Sequence, residues 1–256
     1  MDKVISSDGT EIAYDTFGSG PALVLVAGAM TDRLSYGPRA AVLGEYFTVV
    51  TYDRRGRGDS GDQPEYAVEC EVEDLEAVRA VTGATYGSAD SSGVMVLLRA
   101  AAAGSAFDKL SIMEPPFRVE GAPPAPHRYL ERLQEFVAEG NPGGAAELFM
   151  VEAVGQPQEQ VDAMRSAPFW AGLEAIAPTL VYDALQLDGE VPKDLLATVA
   201  QPTLALHSTS SPEWLQRATA AAAAALPNST LLGLEGSFHD IAPEVLAPAL
   251  VNHFLG

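Results

Sequence analysis

Three residues have the types that acyl transfer needs, and each follows a short apolar run. Ser91 stands in Ala89-Asp90-Ser91-Ser92-Gly93, between a β-like stretch from Ala84 and an alanine-rich helical segment reaching Ala103. Strand, sharp turn and helix form the setting in which small-x-Ser-x-Gly becomes a nucleophile elbow. So tight a turn requires small residues two before and two after the nucleophile, here Ala89 and Gly93. Its strained backbone projects the hydroxyl. The helix behind it offers free N–H groups and a positive dipole end to a developing oxyanion. A second frame, Ser88–Ser92, makes Asp90 the alternative nucleophile. The Ser91 frame is preferred because it sets Gly93 at the close helix–strand contact.

Glu114 follows the run Phe107–Met113 and precedes Pro115-Pro116. Those prolines stop a strand and stiffen the backbone where a carboxylate would be fixed. His239 follows the last apolar run, in Glu235-Gly236-Ser237-Phe238-His239-Asp240. A serine hydroxyl is a weak nucleophile that needs a base, histidine suits that role near neutral pH, and a carboxylate must orient the ring. The run Ala22–Val26 ends in Ala27-Gly28-Ala29-Met30. The backbone of Ala29 or Met30 is the expected second oxyanion donor, with Ser92 the first. His127 and His253 have no comparable context and are read as structural.

These positions require particular elements. Lys3–Phe17 reads as two strands around Asp8-Gly9, and Ala22–Val26 and Phe47–Tyr52 as buried strands. Helices are expected over Ser35–Tyr46 and Glu69–Val81, the latter with its acids outward and Val72, Leu75, Val78 and Val81 inward. Between them, Asp53–Ser60 holds three arginines, read as braces for neighbouring loops. From Arg118 to Asp188 only helical patches occur: His127–Glu139, Ala145–Val154, Gln158–Ser166 and Trp170–Gln186. A helical cap (118–188) inserted into a core of 1–117 and 189–256 is expected, with Phe149, Phe169, Trp170 and Tyr182 lining a substrate pocket. A helix over Val191–Val199, a strand from Pro202, a helix over Glu213–Leu226, the strand Ser229–Leu234 and the helix Pro243–Leu255 complete an α/β pattern. It implies a mostly parallel central sheet flanked by helices, with the site at the strands' carboxyl ends.

Composition sets bounds. A chain of 256 residues suits one large domain with an insertion. The net charge of −20 argues against nucleic acid as a partner. No apolar run reaches membrane-spanning length, and the N-terminus lacks a signal-peptide layout. A cytoplasmic protein acting on a small molecule is expected, with no membrane partner. One cysteine, Cys70, rules out an internal disulfide framework.

Taken together, Val26-Ala27-Gly28-Ala29, the Asp53–Ser60 loop, the elbow, Glu114-Pro115-Pro116 and Gly236-Ser237-Phe238-His239 resemble the α/β-hydrolase superfamily. The resemblance runs from about Val4 to the C-terminus and is weakest over the helical insertion. It implies the α/β-hydrolase fold, Ser91 as nucleophile, His239 as base, and neither metal nor cofactor. Many members carry the acid in the loop after the penultimate strand, where His207–Pro212 offers only Ser210 and Ser211. Others carry it one strand earlier, at the place of Glu114. Hydrolysis of an ester, lactone or thioester is the leading expectation. Asp90 beside the serine keeps open cofactor-free epimerisation, cyclisation or epoxide opening with His239, and a non-catalytic binder is the third class.

Overall fold

The turn at Asp8-Gly9 folds the first segment back on itself. In the computed structural model, which describes residues 1–187 and 189–256, β1 (Asp2–Ile5) pairs antiparallel with β2 (Glu11–Gly18), Ile5 opposite Glu11. Gly9 takes φ +88°, which glycine adopts without steric cost. β2 also lies antiparallel to β4 (Thr48–Tyr52). The other pairings are parallel and join β4, β3 (Ala22–Val26), β5 (Tyr86–Asp90), β6 (Lys109–Met113), β7 (Thr203–Ser208) and β8 (Ser229–Leu234). The order is β1-β2-β4-β3-β5-β6-β7-β8. Chain progression reverses between β3 and β5, so a crevice opens at their carboxyl ends, where α/β sheets place ligands.

Near-continuous apolar strands need cover on both faces. On one face α1 (Gly37–Leu43) and α11 (Pro243–Leu255) bring Leu43, Leu246, Leu250 and Phe254 against Leu23, Leu25 and Val49. On the other, α2 (Val68–Thr82), α3 (Gly93–Ala102), α9 (Lys193–Leu196) and α10 (Glu213–Ala225) pack Leu75, Val78, Leu97, Leu196 and Ala222 against Val24, Val50 and Ile112.

Several expected boundaries move for local reasons. The helix expected from Ser35 begins as a 3-10 turn, Arg33–Tyr36, capped by Asp32, and α1 stops before Gly44. That expected from Val191 shortens to α9, which starts after Pro192. On α2 the expected face is wrong in part. Val81 is exposed, whereas Glu71 and Asp74 are buried. The reason is electrostatic: Arg54 and Arg55, arriving from the β4–α2 loop, pair with those two carboxylates.

Between β6 and β7 the structure is helical: α4 (Tyr129–Ala138), α5 (Pro142–Leu148) with a π-turn over Phe149–Ala153, α6 (Gln158–Arg165), α7 (Trp170–Ile176) and α8 (Leu180–Gln186). A 3-10 turn at Ala177–Thr179, containing Pro178, splits the run read as one helix from Trp170. Leu133, Leu148, Val161, Trp170 and Leu180 form a separate apolar cluster here. Asp188, the expected end of the insertion, lies outside the described residues. Among the described residues no helix is long and apolar enough to cross a membrane.

Gly93 lets the elbow seat against β3. A methyl group there would lie 2.6 Å from the Ala27 carbonyl oxygen and 2.7 Å from that of Val26. Gly93→Ala is therefore expected to lower unfolding stability by about 1–3 kcal/mol. A denaturant midpoint matching that of the native chain would show that the helix simply yields.

Candidate active site

β5 stops at Asp90, and the next residue, Ser91, has φ +52° before α3 begins at Gly93. Its N–H donates to the Met113 carbonyl at 2.9 Å, which ties the turn to β6. A left-handed serine is costly unless its surroundings enforce it. The β3 loop crowds the same turn: a methyl group at Gly28 would sit 3.0 Å from Ser91 Cβ and 3.7 Å from Oγ. Asp90 is still in the strand. Its Oδ2 accepts from Arg39 Nη1 and from the Tyr36 hydroxyl, so a cation compensates its charge beside the serine.

Glu114 follows β6 with φ +48° and is fully buried. Its Oε1 accepts the Ser208 N–H at 2.7 Å, and Oε2 accepts the His239 backbone N–H at 2.7 Å. The His239 ring Nδ1 lies 2.8 Å from the same Oε2. Burial pushes the Glu114 carboxyl up, but hydrogen bonds from His239, Ser211 and the Ser208 amide outweigh it and bring the pKa down to about 2. A fixed carboxylate thus stands behind the imidazole, whose other nitrogen, Nε2, is left for chemistry.

The turn carrying His239 is also strained, with φ +39° at Phe238 and +64° at His239. Ser237 and Asp240 close it through mutual backbone hydrogen bonds of 2.9 Å. The Phe238 N–H donates to Ser211 Oγ at 2.7 Å. The loop after β7 therefore contributes no carboxylate but a hydroxyl that braces both Glu114 and the histidine turn. Among the described residues six non-glycines have positive φ, and five belong to this region: Met30, Ser91, Glu114, Phe238 and His239.

Ser91 and His239 open onto one cavity of about 740 Å³, which also meets Ala29, Met30, Ser92 and Asp90. Among the described residues the N–H groups of Ala29, Met30 and Ser92 donate to no protein acceptor. Of the four expected pocket residues only Phe149 lines this cavity. Phe169 is 54% exposed. Trp170 packs in the insertion's own apolar cluster, with the Arg165 guanidinium 5.6 Å above its ring. Tyr182 stacks on Tyr66 and donates to Asp62 at 2.7 Å. Phe169 precedes α7 as its N-cap residue, and the 3-10 turn at Ala177–Thr179 separates Trp170 on α7 from Tyr182 on α8. Tyr129, Arg39 and Trp214 line the cavity. Arg39 and Trp214 were missed because each stands in a helical stretch with no motif around it.

Asp183 was missed as well, and it joins the insertion to the nucleophile turn and to two arginines of the β4–α2 loop. It sits on α8, is buried, and borders the cavity. Its Oδ1 accepts from Ser92 Oγ and from Arg54 Nη1, each at 2.7 Å, and its Oδ2 from Arg57 Nη2 at 2.8 Å. Burial disfavours its charge, yet the two arginines outweigh that and hold the carboxyl below the usual range. The signal was available. Three arginines in Asp53–Ser60 outnumber the two local aspartates, so further carboxylates had to come from elsewhere. Among the described residues no group of three His, Cys, Asp or Glu side chains is placed to hold a metal ion.

Comparison with known proteins agrees with this architecture. An alpha/beta hydrolase from Sphaerobacter thermophilus DSM 20745 is 43% identical and superposes with a TM-score of 0.93, over 99% of this chain and 100% of that one. The enol-lactonase from Burkholderia xenovorans LB400 has a TM-score of 0.73 at 17% identity, over 100% of both chains, a likeness of fold alone. The N-formylmaleamate deformylase of Pseudomonas putida is 32% identical over 118 residues, 44% of each chain. That match, and one to an uncharacterized hydrolase of Bacillus subtilis covering 34% of it, span less than half the length of those curated relatives. The Alpha/beta hydrolase family is matched over residues 23–249. With the sheet order and elbow turn described above, this establishes that the chain belongs to the alpha/beta hydrolase family.

Proposed function

We propose that the protein is a serine hydrolase that cleaves an ester, lactone or thioester of a small, fairly apolar molecule through an acyl-Ser91 intermediate. One observation carries the reading. Ser91 is held left-handed at the end of a central strand, and it shares a cavity with His239, whose Nδ1 lies 2.8 Å from buried Glu114. In this scheme His239 takes the Ser91 hydroxyl proton as Oγ attacks the carbonyl carbon. The oxyanion receives hydrogen bonds from the backbone N–H groups of Ser92 and of Ala29 or Met30. The proton then passes to the leaving oxygen or sulfur, the acyl bond to that atom breaks, and water activated by His239 releases the acid. The helices of 118–187 form a lid over residues 1–117 and 189–256, and Phe149 and Met150 give the cavity an apolar wall. Arg39 compensates Asp90, which removes the repulsion an uncompensated acid would exert on an oxyanion. The relative named as an N-formylmaleamate deformylase supports hydrolysis as the reaction class.

The test is covalent capture. A fluorophosphonate should add once to the native protein, and peptide mass spectrometry should place the adduct on Ser91. Native protein that stays unlabelled, or labels elsewhere, would overturn the proposal.

A further inference from the structure

We infer that Asp183 is a positioning residue for the oxyanion hole, reaching from the helical insertion to fix both backbone N–H walls that face Ser91. The inference rests on the acyl-serine reading.

One carboxylate serves both walls. On the first, Asp183 Oδ1 accepts the Ser92 hydroxyl at 2.7 Å. Ser92 directly follows the nucleophile, and its own N–H is the first donor. Holding its side chain fixes the orientation of the Cα from which that N–H extends. On the second wall the link runs through arginine. Asp183 Oδ2 accepts from Arg57 Nη2 at 2.8 Å, and Arg57 Nη1 donates to the Gly28 carbonyl at 2.6 Å and to the Thr31 carbonyl at 3.3 Å. The Gly28 carbonyl and the Ala29 N–H belong to one planar trans peptide, so they point in opposite directions. A guanidinium that pins the carbonyl therefore aims the N–H, which assigns the second donor to Ala29. Arg54 adds a third tie, accepted by Asp183 Oδ1 at 2.7 Å and by the Ala27 carbonyl at 3.2 Å. The loop's own Thr31 hydroxyl also donates to the Gly28 carbonyl at 2.8 Å, so the guanidinium tightens a hold the loop already has.

Helix α8 brings this carboxylate from a segment remote in sequence. Correct aim of the N–H pair therefore depends on the insertion being seated. Because an oxyanion exists only during the reaction, a misaimed pair lowers kcat and leaves ground-state binding nearly intact.

Two variants separate the arms. Asp183→Asn removes the charge and leaves one acceptor oxygen, which can serve Ser92 or Arg57 but not both, the amide NH₂ facing the other. Ser92→Ala removes the hydroxyl link and leaves the charges in place. Both are assayed with an ester and its thionoester, whose sulfur accepts hydrogen bonds poorly. Asp183→Asn is expected to lower kcat for the ester about 100-fold and Ser92→Ala about 10-fold, with KM within about 3-fold. The preference for ester over thionoester should fall in step. Equal losses on both substrates, or an unchanged kcat in Ser92→Ala, would overturn the inference. Should Asp183→Asn fail to fold, Ser92→Ala decides alone. Failure of the underlying reading has its own signature, the absence of phosphonate labelling in the native protein.

Discussion

Ser91→Ala is expected to lower kcat about a million-fold toward any ester the native protein hydrolyses, with KM changed only a few-fold. The size follows from the roles proposed above for the acyl-serine reaction. Without the hydroxyl no covalent intermediate forms, and His239 and Glu114 have nothing to activate. What remains is the contribution of the oxyanion donors and of binding, about a thousand-fold to ten-thousand-fold over water. Stability should stay within about 0.5 kcal/mol, because the deleted atom makes no hydrogen bond among the described residues and the turn is already enforced by the backbone. Steady-state kinetics on purified protein and a thermal melt check both halves. A variant within tenfold of native turnover would remove the serine from the reaction.

The second large effect belongs to Glu114→Gln, with kcat expected to fall about ten-thousand-fold. The carboxylate accepts from the Ser208 and His239 N–H groups and approaches Nδ1. A carboxamide must turn its NH₂ toward one of these donors and can no longer balance an imidazolium. Stability changes too, with a definite direction in pH. The folded-state pKa, about 2, lies below the ordinary value of 4.5, so the unfolded chain takes up the proton first as pH falls. The contribution is complete above about pH 4.5 and drains away toward pH 2. It is worth roughly 3 kcal/mol. The stability gap between native and variant should accordingly be full at pH 7 and shrink steadily below pH 4.5. A gap independent of pH between 7 and 2.5 would show that the charge does not matter there.

How far the sequence reveals this site depends on how local each cause is. Ser91 and Glu114 are legible because small residues around one, and paired prolines after the other, act within a few positions. Strand limits such as Ala22–Val26 follow from an uninterrupted apolar run. Glu71 and Asp74 mislead, since charge on a helix ordinarily faces water and their arginine partners lie 17 and 19 residues earlier. Asp183 is harder still, 129 residues from Arg54. No periodicity links them; only the surplus of arginine does. The aromatic residues of the insertion fail for another reason. Aromatic type alone does not say which surface each side chain meets: Trp170 goes into the insertion's own apolar cluster and Tyr182 against Tyr66 and Asp62.

The pairing of Asp183 with Arg54 and Arg57 bears on how such a protein can change over evolutionary time. Arg118 and Glu190 form a parallel bridge, so the two ends of the helical segment lie side by side and a shorter connection could be spliced between them. Yet excision would leave Arg54 with Glu71 but strip Arg57 of Asp183, its one carboxylate partner among the described residues, and an uncompensated interior charge is among the most damaging lesions a protein can carry. The segment and the arginine-rich loop must therefore diverge as a matched set. Recombination that imports a foreign lid without its own counter-ion would yield a chain that fails before selection on substrate preference could act.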